Sequence, residues 1–347
     1  MGRVLMVFTG GTISMQQADG GNRPMLRAAD LLGHVPNLGG LAEVEVVDWG
    51  LVPGSHLSFE QVLDIGRILE RHLRRSEVAG AVVVQGTDNI EETSFAWDLL
   101  PLPDKPVVVV GAMRSASQDG YDGPENLRNA IAAAASEGLR GQGVLAVMDG
   151  EIHGADQVRK VNSHSYGTFQ SPNVGPVGYV RAGEVVALRY RSVRHTLSRI
   201  PERASLPIPI VTALLDQDED STRAQLEGAA GAVFEATGSG NTHPMLLALA
   251  RECLARDVPV VVTTRAPSGR ATPGYGFPGG STMWWETGAI FAGFVGGWKA
   301  RVALALGIGV GLSMDELADL FTAFGGGRGR GPGGGRHVMT RPRESSA

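Results

Sequence analysis

Two threonines near the start of the chain follow hydrophobic runs that end in glycine. Residues 4–9 lead through a glycine pair to Thr12, and residues 81–85 lead through one glycine to Thr87. Each run predicts a buried parallel strand, and the turn after it exposes a threonine hydroxyl at the carboxyl end of that strand. Ligands of open α/β sheets bind at this edge. The pattern therefore favours chemistry in which a threonine hydroxyl attacks a substrate.

A threonine hydroxyl is a weak nucleophile until a neighbouring base takes its proton. Near Thr87 the chain offers Asp88, then Glu91 or Glu92 one turn into a predicted helix. Lys160 follows the fifth predicted strand, and a connection of the usual hand brings its loop to the same edge of the sheet. We therefore predict a Thr87–Lys160–Asp88 relay. The alternative is a common Gly-Thr turn that has no connection with a surface lysine.

Lysine is used sparingly in this chain. Of its 31 basic residues three are lysines, at positions 105, 160 and 299. Arginine stays protonated in proteins, whereas a partly buried lysine can lose its proton and act as a base. One of the three lysines is therefore a candidate for chemistry, and retention by chance at a surface site is the alternative.

Glycines beside the two threonines offer backbone N–H groups. The amides of Gly10, Gly11 and Gly86 are candidates for an oxyanion hole or a carboxylate-binding nest. The eight histidines show no zinc-ligand spacing, so they predict no zinc site. His153 and His164 flank Lys160 and are interpreted as polar loop residues.

The elements that position these residues alternate between strand and helix. In the first half the predicted strands lie near 3–8, 43–48, 80–85, 106–111 and 143–148, and the helices near 59–75, 90–99 and 124–137. In the second half the strands lie near 209–214, 230–235 and 258–263, and the helices near 222–228, 244–256 and 314–323. The alternation predicts two α/β domains, the larger N-terminal one with a mostly parallel doubly wound sheet.

Composition shifts divide the chain into four parts. We predict an N-terminal catalytic α/β domain over 1–190, a charged linker over 191–208 and a smaller C-terminal α/β domain over 209–324. The remainder, 325–347, is rich in glycine and arginine and predicts a disordered tail. A weak RNA contact by this tail is the alternative. The polar stretch 14–24, directly after Thr12, has the composition of a lid or of an ordinary surface loop.

Bulk properties restrict the class of protein. The formal net charge of −5 favours no nucleic-acid or membrane partner, and no apolar run reaches the length of a membrane span. Cys253 is the single cysteine, which fits a reducing compartment. The first predicted strand begins at residue 3, which leaves no room for a signal peptide. We therefore expect a cytoplasmic protein.

Several motifs together resemble the bacterial L-asparaginase/glutaminase family. The two signatures of that family resemble residues 9–13 and 85–93, and the stretch after the second signature resembles 110–114 and 122–127. Lys160 lies where the family has its catalytic lysine, followed by the similar residues 168–173. In the second domain the matching stretches are 238–241, 265–269 and 299–301. The resemblance covers roughly residues 3–323.

The resemblance implies a two-domain amidohydrolase that works as a homodimer or homotetramer on a small-molecule amide, without metal or cofactor. Thr12 would attack the side-chain amide, or share that role with Thr87. Lys160 and Asp88 would activate Thr87, and ammonia would leave before water hydrolyses the acyl-enzyme. The implied substrate-binding residues are Gly11, Asn22, Gly54, Ser55, Gly86, Ala112 and His243.

Departures from the family pattern fall on substrate contacts. Asn22 stands where the family lid carries a tyrosine, and Gly54 stands where a serine grips the substrate α-carboxylate, with Ser55 adjacent. His243 replaces a pocket asparagine, and the neighbouring subunit's glutamate is missing near Gly276. These departures favour either plain asparaginase activity with substitute contacts or a larger or modified amide substrate. A catalytically impaired homologue that senses an amino acid or amide is the further alternative.

Overall fold

The computed structural model describes residues 2–191 and 194–329. The chain forms two units, and the division falls between Ile200 and Pro201, within the predicted linker 191–208. In the described residues no helix is long and apolar enough to cross a membrane.

The described part of the first unit contains twelve strands and four α-helices. The strands are β1 (Arg3–Phe8), β2 (Met15–Ala18), β3 (Gly21–Pro24), β4 (Glu43–Asp48), β5 (Val78–Val84), β6 (Val107–Val110), β7 (Val144–Met148), β8 (Glu151–Gly154), β9 (Arg159–Lys160), β10 (Phe169–Gln170), β11 (Gly178–Arg181) and β12 (Glu184–Ala187). The helices are α1 (Ala28–Gly33), α2 (Phe59–Leu73), α3 (Ile90–Leu99) and α4 (Gly123–Ala135).

The main sheet has the order β12-β11-β8-β7-β6-β5-β1-β4. The strands from β7 to β4 in this order are parallel, and the other three are antiparallel. The chain passes from β1 to β4 on one side and continues from β5 toward β7 on the other, so the order reverses between β1 and β5. Ligands bind at such a switch point. The mostly parallel α/β sheet confirms the predicted fold class.

Local sequence explains the elements next to this point. The side chains of β1 from Val4 to Phe8 are fully buried, as expected of a parallel strand covered on both faces. Helix α2 begins with a capping box, in which Ser58 and Gln61 each accept a hydrogen bond from the backbone amide of the other. Parallel strands and capped helices thus hold the ends of β1 and β5 in register, with Phe8 paired to Val84.

The stretch 14–24 forms a β-hairpin. Strands β2 and β3 pair antiparallel, and the hairpin is tied to the loop after β6. The amide of Gln17 donates to the Ser117 hydroxyl at 2.9 Å, and the amide of Ala116 donates to the Met15 carbonyl at 3.0 Å. The segment is therefore held by hydrogen bonds on one side of the Thr12 turn.

The second unit contains a smaller sheet of order β13-β14-β15-β16-β17, and ring pairs such as Phe234–Trp284 at 5.2 Å fill its core. Its elements are β13 (Ile210–Thr212), α5 (Glu219–Gln225), β14 (Ala232–Ala236), α6 (Pro244–Leu254), β15 (Val260–Thr264), α7 (Ser281–Glu286), β16 (Ile290–Phe291), α8 (Gly297–Gly309), α9 (Met314–Thr322) and β17 (Gly327–Arg328).

The start of the predicted disordered tail was placed too early. Residues 327–328 form β17, which pairs antiparallel with β16, and the amide of Gly329 donates to the Ala289 carbonyl at 2.9 Å. Backbone pairing orders these residues, since an edge strand needs few side chains when its main chain is bonded. Residues 330–347 of the predicted tail lie outside the described residues.

Candidate active site

Three side chains meet at the carboxyl edge of the main sheet. The Lys160 Nζ donates hydrogen bonds to Thr87 Oγ1 at 2.9 Å and to Asp88 Oδ1 at 2.8 Å. Thr87 is buried, whereas the Asp88 side chain is 67% exposed. The amine therefore links a sheltered hydroxyl to a carboxylate that incoming ligands can reach. The structure brings together three of the four residues predicted to be catalytic.

Lys160 owes its place to contacts of its own backbone. It pairs with Phe169 in the β9–β10 hairpin, and its amide donates to Glu91 Oε1 at 2.8 Å. Glu91 is buried on the first turn of α3, the helix that begins just after Thr87. The helix that follows Thr87 thus fixes the backbone of Lys160.

Thr12 lies in the short helical turn Thr12–Ser14 that follows β1. The preceding Gly11 has φ of +92°, and a Cβ there would lie 2.2 Å from the Gly86 amide nitrogen. Only glycine allows this approach of two main chains. The turn that carries Thr12 and the turn that carries Thr87 are consequently in backbone contact.

The predicted substrate-binding glycine at 54 joins the same contact. Gly54 is buried, and a Cβ on it would lie 3.1 Å from the Gly86 carbonyl oxygen, whereas Ser55 is exposed in the same turn. Ala112 follows β6 and is buried. The backbone of the preceding residue lies close to Thr87, because a Cβ on Gly111 would lie 2.9 Å from Thr87 Cγ2. Gly54 therefore packs against the Gly86 backbone, and Gly111 packs against the Thr87 side chain.

Two predicted substrate contacts have partners elsewhere. Asn22 is exposed on β3, and its Oδ1 accepts a hydrogen bond from the Ser115 hydroxyl at 3.3 Å. His243 is exposed in the second unit, where its Nδ1 accepts from the Met245 amide at 3.3 Å at the start of α6. Their roles in substrate binding remain predictions.

The interpretation of His153 as a polar loop residue was wrong. His153 lies on β8 and is buried, with Nδ1 3.1 Å from the Ser171 hydroxyl. Its Nε2 lies 3.2 Å from Glu151 Oε2 without a well-aligned hydrogen bond. Burial, with a smaller effect of nearby Arg189, lowers the pKa of His153 to about 4. The ring therefore packs as a neutral group against Ser171, which directly follows β10.

Tyr121 was not among the predicted site residues. Its hydroxyl donates to the Ile13 carbonyl at 2.5 Å, one residue after Thr12. Burial, and to a smaller extent the neighbouring Asp122 carboxylate, raise the pKa of Tyr121 above its usual value. The contact joins segments 108 residues apart. The sequence carries no signal for it beyond the presence of a tyrosine directly before residues 122–127.

The arrangement is suited to moving protons rather than to binding metal. In the part of the chain that the structure describes, no three His, Cys, Asp or Glu side chains gather as metal ligands. A hydroxyl, an amine and a carboxylate in one hydrogen-bonded chain can carry a proton between a substrate and solvent.

The chain matches family models over both units. A model described as "Asparaginase, N-terminal" matches residues 3–194, and one described as "Glutaminase/Asparaginase C-terminal domain" matches residues 208–321. Together the two matches cover most of the chain.

Individual proteins of this kind are similar over most of their lengths. An L-asparaginase of Bacillus licheniformis is 30% identical, over 88% of this chain and 94% of its own. A probable periplasmic L-asparaginase of Haemophilus influenzae is 31% identical, over 78% of this chain and 79% of its own. The crystal structure of a probable cytoplasmic L-asparaginase from Campylobacter jejuni superposes with a TM-score of 0.81 at 27% identity, and covers 92% of this chain and 99% of that chain.

Proposed function

This chain belongs to the asparaginase/glutaminase family, and we propose that Thr12 attacks the carbonyl carbon of its amide substrate while Thr87 supplies a proton to the departing nitrogen. The protein is an amidohydrolase of the asparaginase type, which converts a side-chain amide to a carboxylate and ammonia. The roles of individual residues are the proposal. It rests on one observation, the position of Lys160 Nζ within hydrogen-bond distance of both Thr87 Oγ1 and Asp88 Oδ1.

In the proposed acylation, Thr12 Oγ1 bonds to the amide carbon and the carbon–nitrogen bond breaks. Because the Lys160 amine donates to Thr87 Oγ1, the Thr87 hydroxyl is left to donate its own proton to the departing nitrogen. The proton lost by Thr12 returns to the relay, so that ammonia leaves and the acyl group remains on Thr12 as an ester. Water then attacks the ester, which releases the carboxylic acid and restores Thr12.

The relay has a physical basis in the surroundings of its members. The Asp88 carboxylate faces the Lys160 amine and stabilises it when it carries a proton. Thr87 is sheltered from water by the glycine contacts around it, and hydrogen bonds there are stronger than in bulk solvent. Protons would therefore pass along a defined path between the sheltered Thr87 hydroxyl and the exposed Asp88 carboxylate.

Trapping the ester tests which threonine is the nucleophile. A slow amide substrate is mixed with enzyme, quenched in acid, and the digested protein is examined by mass spectrometry. We expect the acyl mass on the peptide that contains Thr12. An ester on the Thr87 peptide would reverse the two roles, and turnover without any ester would contradict covalent catalysis.

Asparagine is the proposed substrate, as the names of the relatives suggest. Because Asn22, Gly54 and His243 depart from the family pattern of substrate contacts, modified amides are tested as substrates beside asparagine. Ammonia release from asparagine, glutamine, succinamate and N-substituted amides ranks them by kcat/KM. Binding of these amides without turnover of any of them would favour the sensor alternative.

Oligomeric state and location are also proposals. We propose a homodimer or homotetramer in the cytoplasm, and the probable cytoplasmic relative supports the location, although the Haemophilus protein is named periplasmic. Light scattering measures the oligomeric state, and fractionation of the source cells measures the location.

A further inference from the structure

Tyr121 completes the hydrogen bonding of the turn that carries Thr12. The Tyr121 hydroxyl donates to the Ile13 carbonyl at 2.5 Å, within the normal range for an O–H···O bond. The carbonyls on either side of Ile13 accept backbone amides; these bonds are Ser14 N to Gly11 O, Met15 N to Thr12 O, and Met25 N and Leu26 N to Ser14 O. The Tyr121 phenol thus gives the Ile13 carbonyl the hydrogen bond that backbone amides give the neighbouring carbonyls.

The backbone of Tyr121 is itself firmly held. The carboxylate of the next residue, Asp122, accepts the amides of Met113 at 3.0 Å and Arg114 at 2.9 Å. It also accepts Asn126 Nδ2 at 2.8 Å, and the same nitrogen donates to the Gly111 carbonyl at 3.2 Å. The phenol therefore projects from a segment fixed to the carboxyl end of β6.

The same segment also contacts the loop that follows Lys160. The Tyr166 hydroxyl donates to the Gly120 carbonyl at 2.7 Å, and the Arg114 guanidinium lies over the Tyr166 ring, 4.8 Å from its centre. Tyr166 lies between β9, which ends at Lys160, and β10. Residues 113–122 are therefore bonded on one side to the Thr12 turn and on the other to the Lys160 hairpin.

We propose that Tyr121 is a positioning residue for amide hydrolysis, which sets the Thr12 turn against Thr87 and Lys160. The proposal rests on the proposed function, because it presumes that Thr12 is the attacking group. The phenol keeps its proton and remains a donor throughout the neutral range, since burial raises its pKa. A reacting atom misplaced by about 1 Å can cost about 100-fold in rate. Substrate binding depends on other groups and should change little.

The test is Tyr121→Phe, which removes one hydroxyl and keeps the ring. We expect kcat to fall by about 10- to 100-fold, KM to change by less than about twofold, and the first-turnover release of ammonia to slow in proportion to kcat. Tyr179→Phe is the matched control, because Tyr179 lies on β11 in the antiparallel part of the main sheet. It should keep wild-type kcat and KM.

Three results would overturn the proposal. They are a kcat of Tyr121→Phe within about twofold of wild type, a higher KM at unchanged kcat, and a loss of activity that disappears when the variant is assayed well below its Tm. Lys160→Met, measured in parallel, separates this proposal from the one on which it depends. Full activity of Lys160→Met would remove the proposed relay itself, whereas an inactive Lys160→Met beside a normal Tyr121→Phe removes only the role of Tyr121.

Discussion

The backbone amide of Lys160 donates a hydrogen bond to Glu91 Oε1 at 2.8 Å, across 69 residues of chain. Glu91 is buried at the start of α3, so the bond connects the helix after Thr87 with the short hairpin that carries Lys160. The lysine is therefore held at two points, by its main chain on Glu91 and by its side chain on Thr87 and Asp88.

Removing the Glu91 carboxylate should leave the backbone of Lys160 less firmly positioned. Glu91→Ala leaves a sheltered amide without its partner, which costs about 1–3 kcal/mol, and we expect kcat to fall by about 10- to 100-fold. Glu91→Gln keeps an oxygen acceptor and should retain most of the activity. Steady-state kinetics measure both variants, with the exposed Glu125→Ala on α4 as control. Equal losses in Gln and Ala would contradict a positioning role that depends on the acceptor.

The contact between Gly11 and Gly86 gives a second prediction. A Cβ at Gly11 would lie 2.2 Å from the Gly86 amide nitrogen, so Gly11→Ala must push the two threonine turns apart. We expect at least about 100-fold lower kcat/KM, together with a lower Tm.

Gly175→Ala is the matched control for this change. Gly175 also has positive φ, at +74°, but a Cβ there meets nothing within 4 Å. The control should lose about 1–2 kcal/mol of stability from backbone strain alone and keep its kcat. Similar activity in the two alanine variants would show that the close approach of the turns has no role in catalysis.

Buried His153 should make the stability of the protein depend on pH. Its pKa is lowered to about 4 in the folded protein, whereas the unfolded chain has the ordinary value near 6.5. The unfolded state therefore binds a proton first as pH falls. The contribution of His153 is fully present above about pH 6.5 and is lost toward pH 4, by about 2–3 kcal/mol at pH 4.5.

His153→Asn tests this expectation, because an amide can bond to Ser171 without titrating. Denaturant unfolding at pH 7 and pH 4.5 gives the loss of unfolding free energy for each protein. The variant should lose less than the wild type by about that amount. Equal losses would mean that the histidine ring takes up its proton in the folded state as readily as in the unfolded chain.

Much of the fold could be read from hydrophobic runs. The predicted strands 3–8 and 43–48 coincide with β1 and β4. Strand β1 is central and gives an uninterrupted apolar stretch, whereas β4 is the edge strand and shows instead an alternation of charged and apolar residues. Helix α8 was missed because its residues are buried almost all round, and a helix without a polar face shows no period. Strands β9 to β12 were missed because they are short and held by pairing with a neighbouring strand rather than marked by an apolar pattern.

The candidate site likewise has a part that the sequence predicted and a part that it did not. The proximity of Thr87, Asp88 and Lys160 followed from the rule that parallel strands place their carboxyl ends at one edge. The bonds from Lys160 to Glu91 and from Tyr121 to Ile13 depend on how separate loops pack. No local spacing encodes such contacts, so they became visible only in three dimensions.

The most direct measurement compares ammonia release from asparagine by the wild type, Thr87→Val and Lys160→Met. General acid–base assistance is worth about 10²- to 10⁴-fold, so each substitution should lower kcat by at least about 100-fold while the protein stays folded by circular dichroism. Lys105→Met is the matched control, since Lys105 Nζ bonds to the Arg75 carbonyl, and it should keep its kcat below its own Tm. Near-normal turnover by Lys160→Met would contradict the proposal that this lysine, Thr87 and Asp88 carry the proton of the reaction.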